Sequence, residues 1–378
     1  MTLKKNEWDV IVIGAGPAGS TASRIIAEAG IDVLMIEKDK EPGLHNPCAG
    51  GMPYALAQKL GLDSRIIEKE IYGCVLHFNS YEKRLYRRYP LFVTVYRKVF
   101  DRFLADQAVT AGASLFLSTR VYDVKMRHTA IEVFIEDLTT ERKIQVNSKL
   151  VVFADGVNTL AMRTFGVGFK KRPDNTCLAL TYELDCQNNF SDMVEIFFNS
   201  YDIPWGYYWI FPKKDRLNVG VGCTCSKVKR NLKVCLEEFI KNHHLLRHRK
   251  KMRFTAGLIP ISLARRTSCD SCFIVGDAAG MVNPLTGGGL VYAVKSGELA
   301  ASTCIETLKQ GKDRVRVFSQ YTTKLRMTRH YWCLKVLDFV NRTCMNLSGM
   351  VNRSLYFMLM KLYFFFFSVM PRRLTRNI

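Results

Sequence analysis

Apolar positions first gather as a short β-branched run, WDVIVI at 8–13, which stops abruptly at GAGPAGS. An unbroken apolar run of this length, bounded by glycine, reads as a strand buried on both faces. The stretch 20–29 is compatible with a helix and is closed by Gly30. IDVLMIEK at 31–38 then repeats the buried-strand pattern. Strand, glycine-rich turn, helix and strand within about thirty residues make one βαβ unit. Further on, 98–111 predicts an amphipathic helix, while 115–135 and 144–153 alternate with a period of two. Alternation returns over 177–225, now rich in aromatic residues, and predicts an antiparallel sheet. FIV at 273–275 leads into a second glycine-rich turn, followed by a helical stretch of about a dozen residues. There is no internal repeat and no low-complexity linker.

The length, 378 residues, suggests two or three domains at about 150 residues each. With 48% hydrophobic and 24% charged residues, the composition excludes a disordered chain, a collagen-like repeat or a small disulfide scaffold. Charge changes the picture more. Lys and Arg number 55 against 34 Asp and Glu, a net of +21, which predicts attraction to polyanions: nucleic acid, an anionic membrane face or a phosphorylated substrate. From 312 to 378 there are 13 Lys and Arg against two Asp, so half of the excess lies in under a fifth of the chain. Within that tail, 354–371 contains one charge, Lys361, in eighteen residues. A membrane span needs about twenty apolar residues, so this segment, flanked by Arg353, Arg372 and Arg373, reads as an interfacial anchor or as the wall of a lipid pocket. Peripheral contact with an anionic membrane is the expectation, in an otherwise cytoplasmic protein.

Twelve cysteines are scattered along the chain, and the apolar residues after Lys4 and Lys5 are too few for a secretory signal, which points to a reducing compartment. Cys223-x-Cys225 and Cys269-x-x-Cys272 have metal-like spacing but lack companions for a four-ligand site, so they read as ordinary thiols. His244 and His248 lie four apart on an expected helix inside the basic run 232–254, which reads as a solvated face. No metal site is expected. Aromatic residues are sparse in that run, so no nucleic-acid role is expected either.

Gly14-Ala15-Gly16-Pro17-Ala18-Gly19 matches G-x-G-x-x-G after a strand and at the start of a helix. Gly14 permits the turn, Gly16 lets a pyrophosphate approach the backbone, and Gly19 lets helix and strand pack closely. The helix N-terminus favours an anion. Glu37, at the end of the second strand, is placed to accept hydrogen bonds from a ribose. This is a dinucleotide site.

The second turn, Gly276-Asp277-Ala278-Ala279-Gly280, followed by Pro284-Leu285-Thr286-Gly287-Gly288-Gly289, resembles a flavoprotein arrangement, as do Asp155-Gly156 after LVVFA and Arg97 ahead of a helix. With Pro47-Cys48-Ala49-Gly50-Gly51, Tyr207-x-Trp209-x-Phe211-Pro212 and Asn218-Val219-Gly220-Val221-Gly222, the chain resembles the geranylgeranyl reductase family of flavoproteins over about 8–305. Family members usually have Cys-Gly-Gly where this chain has Cys48-Ala49-Gly50, and many carry an acid at the position of Gly288.

The resemblance implies an α/β fold: a Rossmann-like FAD-binding domain with a parallel sheet, an antiparallel-sheet substrate domain and a C-terminal helical tail. The segments expected are 1–75, 97–165 and 255–311 for the first, 76–96 and 166–254 for the second, and 312–378 for the third. The implied FAD contacts are Gly14, Gly16, Pro17, Ala18, Gly19, Glu37, Lys38, Cys48, Ala49, Gly51, Arg97, Val121, Asp277, Gly288, Gly289 and Leu290. Tyr207, Trp209, Phe211 and Pro284 are the implied substrate contacts, and Cys48 is the implied catalytic residue, as proton donor or redox helper.

The implied activity is reduction of carbon–carbon double bonds in an isoprenoid chain carried by a lipid, quinone or diphosphate. An isolated alkene accepts hydride poorly, so a reductant must be held against it while an acid supplies a proton. A long apolar chain, at about 0.8 kcal/mol per buried CH₂, binds without polar contacts. The competing readings are a flavin monooxygenase acting as hydroxylase or epoxidase, and a non-catalytic lipid-binding protein that keeps the FAD fold. NAD(P)H, ferredoxin and a deazaflavin stay open as electron donors, as do the head group and the oligomeric state.

Overall fold

The computed structural model describes residues 5–45, 47–78, 81–127, 130–186, 190–198, 203–309 and 314–346. These form two units, the described residues of 1–45, 97–171 and 260–336, and those of 46–96, 172–259 and 337–378.

The first unit is built on a sheet whose strands run in the order Ser268–Cys269, Cys272–Ile274, Lys143–Phe153, Glu7–Ile13, Val33–Ile36 and Ser114–Phe116. The four strands from 143–153 to 114–116 are parallel to their neighbours, as is Cys272–Ile274 to 143–153. Lys143–Phe153 also pairs antiparallel with Ile131–Asp137, which pairs with Thr119–Met126, so the alternating stretch 115–135 divides into separate strands. Val10, Ile11, Val12 and Leu34 are fully buried, as their unbroken apolar runs require. Helices Pro17–Glu28, Arg97–Thr110 and Leu290–Lys309 accompany this sheet. The first begins at Pro17, three residues before the pattern suggested, because proline suits the first helical position. The last has 20 residues, well beyond the dozen expected.

One feature of the register positions the site. Gly14 N–H donates to Ile36 O (2.7 Å), Glu37 N–H to Phe116 O (2.8 Å), Ala154 N–H to Ile13 O (2.8 Å) and Val275 N–H to Phe153 O (3.0 Å). The parallel ladder thus continues one residue past each strand. It brings Gly14, Glu37, Asp155 and Gly276 to the carboxyl edge of one sheet, where open α/β sheets bind their ligands.

The second unit holds a seven-stranded sheet in the order Lys251–Pro260, Thr176–Asp185, Arg216–Thr224, Gly206–Pro212, Met193–Phe198, Gly73–Phe78 and Tyr81–Tyr86. The expected antiparallel sheet is present from 176 to 224, with Met193–Phe198, Gly206–Pro212 and Arg216–Thr224 in succession and Thr176–Asp185 on the far side of Arg216–Thr224, but Met193–Phe198 pairs parallel with Gly73–Phe78. That pairing, together with the small sheet of Gly51–Pro53, Phe92–Val95 and Ile67–Ile71, places residues 46–75 in this unit. From the sequence they are expected among the FAD-binding segments. Helix Leu232–Asn242 covers one face, where Leu232, Cys235, Leu236 and Ile240 join Tyr208, Ile210, Val219 and Val221 in a core.

The helix expected beneath His244 and His248 ends at Asn242. His243 N–H caps it onto Phe239 O, and both histidines lie in the turns that follow, so helical spacing does not relate them.

The C-terminal region expected as one piece divides as well. Helix Arg314–Met327 sends Tyr321, fully buried, into the core of the first unit, where its hydroxyl donates to Ile274 O at 3.1 Å. Helix Arg329–Asn346 follows and buries Leu334. The apolar stretch 354–371 lies outside the described residues, among which no helix is long and apolar enough to cross a membrane.

Candidate functional site

The first glycine-rich turn is shaped by three different constraints. Gly14 has φ +102°, and a side chain there would collide with Ala154 O. One at Gly19 would collide with Gly14 O, so helix and turn meet backbone to backbone. At Gly16 no described atom lies within 4 Å of where a Cβ would stand, which leaves that side of the turn open. Gly16 is also the N-cap of Pro17–Glu28, and no side chain caps it. An open, uncapped helix N-terminus at the carboxyl edge of a parallel sheet fits a pyrophosphate.

Glu37 is tied down beside it. Its Oε2 accepts from Ala15 N–H (2.9 Å) and its Oε1 from Asp39 N–H (3.0 Å). Burial pushes its pKa up, and the two backbone donors pull against that shift. Each oxygen keeps a further lone pair for a ribose hydroxyl. Val121 lies on the strand that begins at Thr119, whose N–H donates to Glu37 O at 2.9 Å.

The second turn closes on the first. A Cβ at Gly276 would stand 3.2 Å from Ala18 Cβ, and one at Gly297 would collide with Ala18 O, so helix Leu290–Lys309 crosses helix Pro17–Glu28 with Gly297 directly against the Ala18 backbone. Gly276 N–H donates to Ser296 Oγ (2.9 Å). Asp277 faces Gly289, at which a Cβ would stand 3.4 Å from Asp277 Oδ1. Burial raises the pKa of Asp277, and the charge of Arg97 holds it down. Asn283 organises the loop that carries Pro284: its Oδ1 accepts from Leu285 and Thr286 N–H, and its own N–H donates to Gly288 O (3.0 Å). Leu290 opens the helix that follows.

Two acids qualify the sequence reading of this edge. Arg97 is held by a double hydrogen bond to Asp101, Nε and Nη2 each at 2.8 Å, and Asp101 is wholly buried. Asp101 was not singled out from the sequence, although its spacing of four from Arg97 at the start of a helix was a signal. Asp155 accepts from Leu160 N–H through Oδ2 (2.6 Å), while its Oδ1 is buried with no partner among the described residues. Burial raises the pKa of Asp155, and Lys38 is close enough to lower it. An orphaned carboxylate oxygen beside the bare turns is the second feature that fits a polar cofactor at this edge.

Cys48, Ala49 and Gly51 fall in the other unit. There Gly50, at φ +78°, accepts from Val95 N–H (2.9 Å), and its own N–H donates to Cys48 Sγ (3.4 Å). A Cβ on Gly51 would stand 2.6 Å from the Phe211 ring. Alternation puts Tyr207, Trp209 and Phe211 on one face of strand Gly206–Pro212, opposite to Tyr208 and Ile210, which pack in the core under helix Leu232–Asn242. The aromatic face and the Cys48 loop therefore meet within one unit. Asn218, which the sequence marks only as the first residue of a family motif, accepts from Trp209 Nε1–H through its Oδ1 at 2.8 Å.

The model of the FAD binding domain family matches residues 7–328. The chain is 32% identical over 338 residues to the digeranylgeranylglycerophospholipid reductase of Methanococcus vannielii, covering 88% of this chain and 85% of that protein. To digeranylgeranylglycerophospholipid reductase 1 of Methanopyrus kandleri it is 34% identical over 327 residues, 83% and 85% of the two chains. The fold is shared with a geranylgeranyl bacteriochlorophyll reductase-like protein from Thermoplasma acidophilum at a TM-score of 0.80 and 24% identity, covering 93% of this chain and 96% of that one. Fold and site together define an FAD-dependent oxidoreductase. Within that class the chain belongs to the geranylgeranyl reductase family.

Proposed function

We propose that the protein reduces carbon–carbon double bonds in the isoprenoid chain of a lipid. FAD, when bound, supplies the hydride for this chemistry. The carrying observation is the aromatic face: Tyr207, Trp209 and Phe211 on one side of a sheet, with Gly51 packed onto Phe211. Such a surface offers an isoprenoid chain contact area without polar demands. The names of the relatives point to the same substrate class, with a digeranylgeranylglycerophospholipid as the form to test first.

In this reading the residues divide the work by position. Gly14, Gly16, Pro17, Ala18 and Gly19 hold the pyrophosphate on the helix N-terminus, and Glu37 accepts from the adenosine ribose, with Lys38 and Val121 beside it. Asp277 accepts from the ribityl chain, and Gly288, Gly289 and Leu290 present backbone N–H groups to the ring. Arg97, fixed by Asp101, supplies positive charge near the reduced ring. Cys48 donates the proton that balances the hydride, with Ala49 and Gly51 shaping its approach, and Pro284 lines the substrate's path.

We assign contact with an anionic membrane to the basic C-terminal region. Helix Arg329–Asn346 exposes Trp332, Val336 and Phe339, spaced as one face, with Lys335 and Arg342 beside them.

The test is anaerobic. The flavoprotein is reduced with dithionite and mixed with detergent-dispersed digeranylgeranylglycerophospholipid, and flavin reoxidation and lipid mass are followed together. Reoxidation with a gain of two hydrogens per double bond is the expected result. Reduced protein that ignores the lipid, yet gives an oxygenated lipid once O₂ is admitted, would make it a monooxygenase.

A further inference from the structure

Glu183, Lys213 and Asn218 form a polar line through the sheet of the second unit to which the proposed function gives no part. Glu183 stands directly opposite Asn218 on neighbouring strands, and Asn218 opposite Phe211, which puts Trp209 on the diagonal of the same face. Trp209 Nε1–H donates to Asn218 Oδ1 (2.8 Å), and Asn218 Nδ2–H donates to Glu183 Oε1 (2.7 Å). Lys213 Nζ donates to the same Oε1 (3.4 Å) and lies 3.9 Å above the Tyr96 ring. The Lys213 side chain is 1% exposed and that of Glu183 12%.

The chemistry of the groups gives this line one direction. An indole N–H can only donate, so it needs the oxygen of the Asn218 amide and not its nitrogen. The amide nitrogen then points at Glu183, and only an acceptor there keeps the amide from turning over. A buried carboxylate would be costly alone, and Lys213 neutralises it. Glu183 Oε2 has no hydrogen-bond partner among the described residues, so Oε1 carries the connection. The rest of the indole is held by shape: a Cβ at Gly220 would collide with its ring, and one at Gly222 would stand 3.5 Å from Cζ3.

We infer that Glu183 and Lys213 are positioning residues that fix the Trp209 indole through Asn218, and so set how tightly the aromatic face grips its substrate. The last clause rests on the isoprenoid reading; the positioning itself does not.

The test uses the full-length flavoprotein with ¹⁵N-indole-labelled tryptophan. The Trp209 resonance is assigned by its loss in Trp209→Phe, and its hydrogen exchange is followed. Because removing one partner leaves a buried charge and can prevent folding, both are changed together. Glu183→Gln/Lys213→Met keeps an acceptor for Asn218, whereas Glu183→Leu/Lys213→Met does not. In the Leu/Met variant the indole N–H should exchange at least tenfold faster, and KM for the lipid should rise at least fivefold with kcat within twofold. The Gln/Met variant should rescue both. Wild-type exchange in the Leu/Met variant, or equal loss of protection in both variants, overturns the inference. Faster exchange with unchanged KM supports the positioning and counts against Trp209 as a substrate contact.

Discussion

Replacing Glu37 by Gln tests the cofactor edge at its most constrained point. The carboxylate accepts one backbone N–H on each oxygen, Ala15 at 2.9 Å and Asp39 at 3.0 Å. Gln has the same shape but only one accepting atom, so one N–H must face an NH₂ group. Hydrogen bonds to a charged group contribute about 1.5–3 kcal/mol. If the ribose depends on this carboxylate, FAD affinity should fall by about ten- to a hundredfold, at about 1.4 kcal/mol per factor of ten. The assay is titration of the apoprotein with FAD, followed by flavin fluorescence, with a thermal melt to confirm folding.

The same reasoning gives a pH signature. Burial holds the pKa of Glu37 above the usual carboxylate value. Acidification therefore protonates it early, and wild-type affinity should weaken as pH falls through that raised value, while the Gln variant stays flat. Stability moves the other way. The folded state binds the proton more readily than the unfolded chain, so the contribution of Glu37 to apoprotein stability diminishes as pH rises from the ordinary value through the raised one. A Gln variant that binds FAD within twofold of wild type, or that shows the wild-type pH slope, refutes the assignment.

Further expectations follow from other sites. Cys48→Ser should keep its flavin and slow lipid reduction at least tenfold in single-turnover mixing, which unchanged turnover would contradict. Gly220→Ala drives a methyl into the Trp209 ring and should cost about 1–3 kcal/mol in urea unfolding, with FAD content unaltered. Asp101→Asn halves the acceptor fork under Arg97 and should lower stability by about 1.5–3 kcal/mol in the same assay. Asp137 accepts from Thr139 N–H and Oγ1–H and from Thr140 N–H, and these bonds hold its pKa well below the usual range. Its contribution is present above the unfolded value of about 3.9 and lost as pH falls below it, so Asp137→Asn should lower the Tm at pH 7 by an amount that shrinks under pH 4.

The sequence by itself determined the elements whose physics is local. The apolar runs at 8–13 and 31–38, the glycines between them and Glu37 are legible because a buried parallel strand, a positive-φ turn and a helix start each restrict residue type within a few positions. Gly276, Asp277 and the aromatic alternation of 207–211 are legible for the same reason. Only the tertiary structure decided what these pieces meet. Residues 73–78 pair parallel with 193–198, more than a hundred positions away, and no periodicity within either strand names its partner. That pairing moves the Cys48 segment from the expected domain to the other. Tyr321 reads as part of a basic tail, yet it is buried against Ile274. His244 and His248 read as helical because a run of basic and apolar residues does not mark where a helix ends. Lys213 and Glu183 are far apart in the sequence; they meet because Lys213, just past strand Gly206–Pro212, reaches across Arg216–Thr224 to Glu183 on Thr176–Asp185. Periodicity specifies which face a residue takes, and long-range pairing specifies what that face meets.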